Sequence, residues 1–196
     1  MPDPAELATI PVFFEVPQQR IRDFIGSKPT HNNSSRTFRG LCQNRGMKNL
    51  FEPERVDEIR ARIARIRPDS PQQWGEMDAA QALAHCSEGL SWAVGDTVPP
   101  RMFFGSLLGR AIKGKVLGDD APMRRNSPTA KTLIVADARE LAAERERFLT
   151  LLDRFASGGP TGCTVQAHSF FGRLTPMQWA ILMYKHIDHH LRQFGV

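Results

Sequence analysis

Histidines are the residues of this chain best suited to chemistry. There are six, and three fall in one short run: His186, His189 and His190 in Tyr184-Lys185-His186-Ile187-Asp188-His189-His190. On a helix, at ~100° per residue, His186 and His190 lie on one face one turn apart. Two imidazoles so spaced can reach one metal ion at ~2.0–2.1 Å, the helical half of many metal sites. Trp179 and Met183 continue that face, which turns the pair toward an apolar interior. His189 also neighbours His186, one turn on, so spacing alone leaves it a candidate.

A site built between helices needs ligands from a second helix. His85, in Ala79-Ala80-Gln81-Ala82-Leu83-Ala84-His85-Cys86, is the obvious source, since it sits mid-helix among apolar neighbours. A lone histidine in that setting is more often a hydrogen-bonded core residue, because burying its ring nitrogens requires partners and not a metal. Cys86 is ~100° round the helix from His85 and cannot readily share an ion with it. It reads as a small buried hydrophobe. Gln81, one turn before His85, is a candidate for a group that orients it. His168, ahead of Phe170-Phe171-Gly172, is a fourth candidate, on a loop, while His31 sits apart in a polar tract.

Other templates are missing from the sequence. There is no GxSxG elbow, no phosphate-binding glycine loop and no GxGxxG after a strand. HExxH is absent as well: Ile187 follows His186, so no glutamate base is built in between the histidines. Cys163 could serve as a nucleophile, but no base is placed for it.

The elements that must position these residues are helices. Pro53 suits a first helical turn, and Val56, Ile59, Ile63 and Ile66 recur at helical steps, which predicts a helix over 53–66 stopped by Pro68. A second is expected over 77–94, with Ala80, Leu83, Ala84, Ser87, Leu90 and Val94 as its buried stripe. A weaker third covers 102–116, interrupted by Gly105, Gly109 and Gly114. After Asn126-Ser127-Pro128-Thr129 a fourth is expected over 137–155, with Leu141, Phe148, Leu152 and Phe155 on one side and Gly158-Gly159-Pro160 at its end. The fifth opens at Thr175-Pro176-Met177-Gln178, an N-cap, a first-turn proline and a capping-box glutamine, and runs nearly to the end. Strand signals are confined to brief runs such as 132–135. The expectation is all-α, most simply a four-helix bundle with additions.

Composition narrows the classes. At 196 residues, 41% hydrophobic and 24% charged, the chain reads as a globular protein of one domain, or one with an appendage. No apolar run approaches the ~18 residues of a membrane span, and the Met-Pro-Asp-Pro start carries no secretory pattern. Cys42, Cys86 and Cys163 are few and far apart, which argues for a reducing compartment, the cytoplasm. Residues 1–46 hold scattered prolines and the tract His31-Asn32-Asn33-Ser34-Ser35-Arg36, and are expected to be a poorly ordered extension to a domain at 47–196. The net charge of +5 permits anionic partners without requiring them. Its local excess is Arg101, Arg110, Lys113, Lys115, Arg124 and Arg125 against Asp119 and Asp120, a solvated basic loop or a patch for an acidic small molecule. Nucleic acid is not expected, because no aromatics are interleaved with the charges.

Several separate motifs, in order, carry a resemblance. Met47-Lys48-Asn49-Leu50-Phe51, Gln73-Trp74-Gly75-Glu76-Met77, Leu83-Ala84-His85-Cys86, Arg125-Asn126-Ser127-Pro128-Thr129, His168-Ser169-Phe170-Phe171-Gly172 and the run from Tyr184 to Gly195 together resemble domain-of-unknown-function family 1569, of the DinB/YfiT-like superfamily. The resemblance covers 47–196; the 46-residue extension lies outside it, as a misassigned start would explain. It implies an up-down-down-up four-helix bundle holding a divalent ion with three histidines, which on the superfamily pattern are His85, His186 and His190. Three neutral imidazoles leave the ion its full charge and an open position. Characterised relatives include thiol-dependent transferases and isomerases and a metal-dependent hydrolase. The resemblance thus implies thiol-dependent transferase chemistry with zinc, nickel or iron and a low-molecular-weight thiol, whose carboxylates the 101–125 stretch could receive. A metal-dependent hydrolase, or a non-catalytic metal-binding or stress-response module, is the alternative. The implied partner is a small-molecule substrate or thiol, with no nucleic acid and no membrane, and a homodimer is a possible assembly.

Overall fold

The computed structural model describes residues 46–98, 103–126 and 133–196. The expected extension, but for Gly46, lies outside these residues, as do Arg101, the Ser127-Pro128-Thr129 connection and Thr132. Among the described residues there are five α-helices: α1 (Pro53–Ala64), α2 (Ala79–Val94), α3 (Phe103–Val116), α4 (Leu141–Gly158) and α5 (Pro176–Gln193), with a short 3-10 turn at Gly159–Gly162. Among the described residues there is no strand, so the fold is all-α. The run expected as a strand is irregular at 133–135, and one antiparallel bridge, His168 to Gly172, is the closest approach to a sheet.

Capping chemistry sets where the site-bearing helices begin. Asp78 caps α2: its carboxylate accepts from the Gln81 N–H at 2.8 Å, and the Gln81 side chain accepts from the Asp78 N–H at 3.0 Å. The helix therefore starts after Asp78 and not at Met77. Thr175 and Gln178 make the same reciprocal pair at 3.2 and 3.0 Å, with Pro176 in the first turn, as expected. Gly95, at φ 86°, closes α2 in the left-handed conformation that glycine adopts without strain. By contrast α4 begins at Leu141, later than expected. Asp137 is held outside it by Gln81, which donates to its carbonyl, and by Arg139, which donates to its carboxylate. The first helix ends at Ala64, short of Ile66, because Pro68 disfavours helical backbone just before it.

Helices α2 and α5 are buried on almost every side, from Ala79 to Ala93 and from Trp179 to Leu191. For α2 this follows from a sequence apolar on nearly every side, whereas α5 also buries the polar Lys185, Asp188, His190 and Gln193. On α2 the small residues Ala79, Ala82, Gly89 and Ala93 allow close approach, and its most extensive packing is against α4. The amphipathic α1 and α4 present single stripes: Val56, Ile59 and Ile63 from one, Leu141, Phe148, Leu152 and Phe155 from the other. Each of these four helices packs on two of the others, in the ring α1–α4–α2–α5. The core begins at Met47 and Leu50, whose N–H donates to the Ala180 carbonyl of α5 at 3.2 Å. No helix among the described residues is long and apolar enough to cross a membrane.

Candidate metal centre

The interior pair α2 and α5 brings His85 against His186 and His190. Each offers one ring nitrogen, and the three lie within 4.8 Å of one another. Three nitrogens so gathered could reach one ion bound at ~2.0–2.1 Å after side-chain adjustment. The three rings pack edge to face, with centroids 4.7 Å apart for His85–His186 and His85–His190 and 5.0 Å for His186–His190.

Hydrogen bonds behind the rings decide which nitrogens point inward. His85 donates from Nδ1 to the Leu133 carbonyl at 2.7 Å, so its Nε2 presents a lone pair. The Gln193 amide donates to the Trp74 carbonyl at 2.6 Å, which makes its Oε1 the acceptor for His190 Nδ1–H at 2.9 Å. His190 therefore also turns a bare Nε2 to the cluster. His186 Nε2 stands 2.8 Å from His85 Nε2 and, without an ion, donates to it. An ion in place of that hydrogen requires the His186 proton on Nδ1, beside Gly89, where a β-carbon would stand 3.2 Å away. A carbonyl or amide behind a ligating histidine is the usual means of fixing its tautomer.

Burial keeps the cluster uncharged. It is the main cause of the depressed basicity of all three rings: His85 falls below the ordinary histidine value, His186 well below it, and His190 to about 3. The neighbouring imidazoles push the same way at His186 and His190. Neutral imidazole is the form that ligates.

The rings form part of the wall of a cavity of about 590 Å³, with Trp74, Trp92, Phe170, Phe171, Leu182 and Met183 among its apolar sides. Arg124, Asn126, His168 and Gln193 contribute polar groups. Among the described lining residues Glu76 is the one carboxylate, and it is exposed.

A family model described as a protein of unknown function (DUF1569) matches residues 48–195. The chain belongs to the DUF1569 family. No curated protein and no solved structure matches it.

The DUF1569 domain places the remaining sequence candidates elsewhere. His189 is rotated off the cluster: its ring tilts against Trp74 at 5.7 Å and hydrogen-bonds the Met123 backbone. His168 accepts from the Phe170 and Phe171 N–H groups at Nδ1, at 3.1 and 3.2 Å, and is not in the cluster. Gln81 does not orient His85; its side chain caps α2 and binds the Asp137 carbonyl. Cys86 is buried and its thiol pushed far up, while Cys163, half-buried, is pushed up to about 11, so neither is a ready nucleophile. Of the basic stretch, Lys113 donates to the Arg173 carbonyl at 3.1 Å, and Arg125 lies 4.1 Å over the Trp74 ring. Arg124 reaches the cavity. Gln193 is not among the sequence candidates, although its place one turn after His190 is a usable signal. The Leu133 and Trp74 carbonyls had none, because a backbone acceptor is the same in every residue.

Proposed function

We propose that the cavity is the active site of a divalent-metal-dependent enzyme, with His85, His186 and His190 holding zinc, nickel or iron. The observation that carries this reading is the convergence of three imidazole nitrogens, two with tautomers set from behind, on the wall of a cavity large enough for a small molecule. Bound there, such an ion would polarise a thiol or a water and lower its pKa. The tryptophan and phenylalanine walls give the cavity largely apolar surroundings, with Arg124 and Asn126 among its polar lining residues. The reaction class we favour is transfer to or from a low-molecular-weight thiol. The scarcity of carboxylates among the described lining residues supports it over hydrolysis, which calls for a general base. We also place the family in the DinB/YfiT-like superfamily, with the ring α1–α4–α2–α5 as its up-down-down-up bundle; the pattern of one early histidine and a late HxxxH supports that placement. A reducing, cytoplasmic setting agrees with free Cys86 and Cys163.

Elemental analysis of untagged protein purified without added metal tests the first step, with about one ion per chain expected. Incubating that protein with small thiols and alkylating electrophiles tests the second. Thiol and electrophile consumed together support transfer; ester or amide cleavage without thiol supports hydrolysis. Neither reaction in metal-replete protein favours a non-catalytic module.

A further inference from the structure

The turn His168-Ser169-Phe170-Phe171-Gly172 plays no part in holding the ion, yet its residues His168 to Phe171 line the same cavity. Its backbone is closed both ways, His168 N–H to Gly172 carbonyl at 3.0 Å and Gly172 N–H to His168 carbonyl at 3.1 Å. Inside it, the Phe170 and Phe171 N–H groups both donate to His168 Nδ1. A ring nitrogen that accepts N–H bonds carries no proton, so the neutral ring holds its proton on Nε2. Trp92, Trp179 and Phe171 pack round the imidazole, with centroids at 5.9, 5.4 and 5.1 Å. Turning the ring over would face the two N–H groups with a carbon and leave them unpaired. On the outer side α3 backs the turn so closely that a β-carbon on Gly109 would collide with the Phe170 carbonyl. The result is a rigid N–H donor on a residue that lines the cavity. Burial holds its basicity down, to about 4, so the donor stays uncharged near neutrality. The side chain of Ser169, a buried residue of the same wall, adds a hydroxyl.

We propose that His168 forms a subsite for an acyl oxygen, a carboxylate or an amide carbonyl, of the cavity's occupant, with Nε2–H donating to that oxygen. A fixed, uncharged donor in largely apolar surroundings rewards an acceptor and leaves a second donor or a cation unpaired. The inference rests on the reading of the cavity as the substrate site and narrows the substrate to molecules that place an acceptor oxygen at this wall, an acyl oxygen being the class proposed.

Nitrogen-15 NMR of the full chain with labelled histidine tests this. His168 is expected as the Nε2–H tautomer, and N-acetylglycine, which has acyl oxygens but no thiol, is expected to shift that resonance in metal-free protein. In zinc-loaded protein N-acetylcysteine should bind about tenfold tighter than 2-mercaptoethanol, and His168→Asn, which keeps an acceptor for the two backbone N–H groups, should bring that ratio toward one. A purely structural role would weaken both thiols alike and leave the ratio standing. An Nδ1–H tautomer overturns the proposal without any ligand. So does a His168 resonance indifferent to both acyl compounds, or an unchanged ratio in the variant. If neither thiol binds but N-acetylglycine still shifts His168, the thiol reading fails and the subsite stands.

Discussion

His190 shows how a single side chain is set up as a candidate ligand. Its own position puts it on the inner face of α5, but Gln193, anchored on the Trp74 carbonyl, decides that Nε2 is the nitrogen turned inward. Two outcomes follow at this scale. Replacing His85, His186 or His190 with Ala should each abolish stoichiometric metal, because two remaining ligands hold an ion weakly, whereas His189→Ala should keep most of it; elemental analysis reads both. Gln193→Leu removes the acceptor without touching a ligand and should weaken metal binding about 10–100-fold, measured by competition with a chromogenic chelator. Unchanged affinity would mean that the ring finds its orientation without the amide. The HxxxH pair was legible from spacing, but spacing left His189 open. What removes His189 is its ring orientation against Trp74 and the Met123 backbone, a tertiary fact with no local signature.

Elements carry these residues only as well as their ends are fixed. The start of α5 was legible to the residue from Thr175-Pro176-Met177-Gln178, because a capping box is written in side chains. The same signal stands in Asp78-Ala79-Ala80-Gln81, and it assigns Gln81 to the cap of α2 and not to His85. The start of α4 was not legible, since contacts with the distant Gln81 hold Asp137 outside the helix. Between elements, the loop at Gly75 supports the centre indirectly. It has φ 80°, and a β-carbon there would stand 2.5 Å from Gln193 Nε2. Gly75→Ala should therefore cost about 1–2 kcal/mol in a urea titration for the left-handed backbone. It should also displace Gln193 and weaken metal binding in the direction of Gln193→Leu. A loss of stability with metal affinity intact would separate the loop from the centre.

For the whole molecule, the boundary of the folding unit and its response to pH are both set by what the core encloses. Met47 and Leu50 are buried at 6% and 0% exposure, so a chain beginning at Met47 should keep its melting temperature and helical content, while one beginning at Phe51 should melt more than about 5 °C lower. A large loss in the first would mean that earlier residues complete the core. The pH response rests on histidines buried uncharged. His168 titrates near 4 in the folded chain against an ordinary 6.5, so between those values the unfolded chain binds more protons than the folded one. Stability must then rise with pH across that window, be complete above it, and be lost progressively as pH falls from about 6.5 toward 4, by about 3 kcal/mol from this residue. His85, His186 and His190 are depressed in the same direction and steepen the fall. Glu58 and Asp119, whose pKa values are lowered, lose their contribution only in the acid range below. Urea titrations of chelator-treated protein should thus show stability falling well before the carboxylates protonate, and His168→Asn should flatten the slope by up to one proton. A stability unchanged between pH 7.5 and 5 would mean that the buried imidazoles are charged or solvated, and the centre would lose the neutral ligands on which it depends.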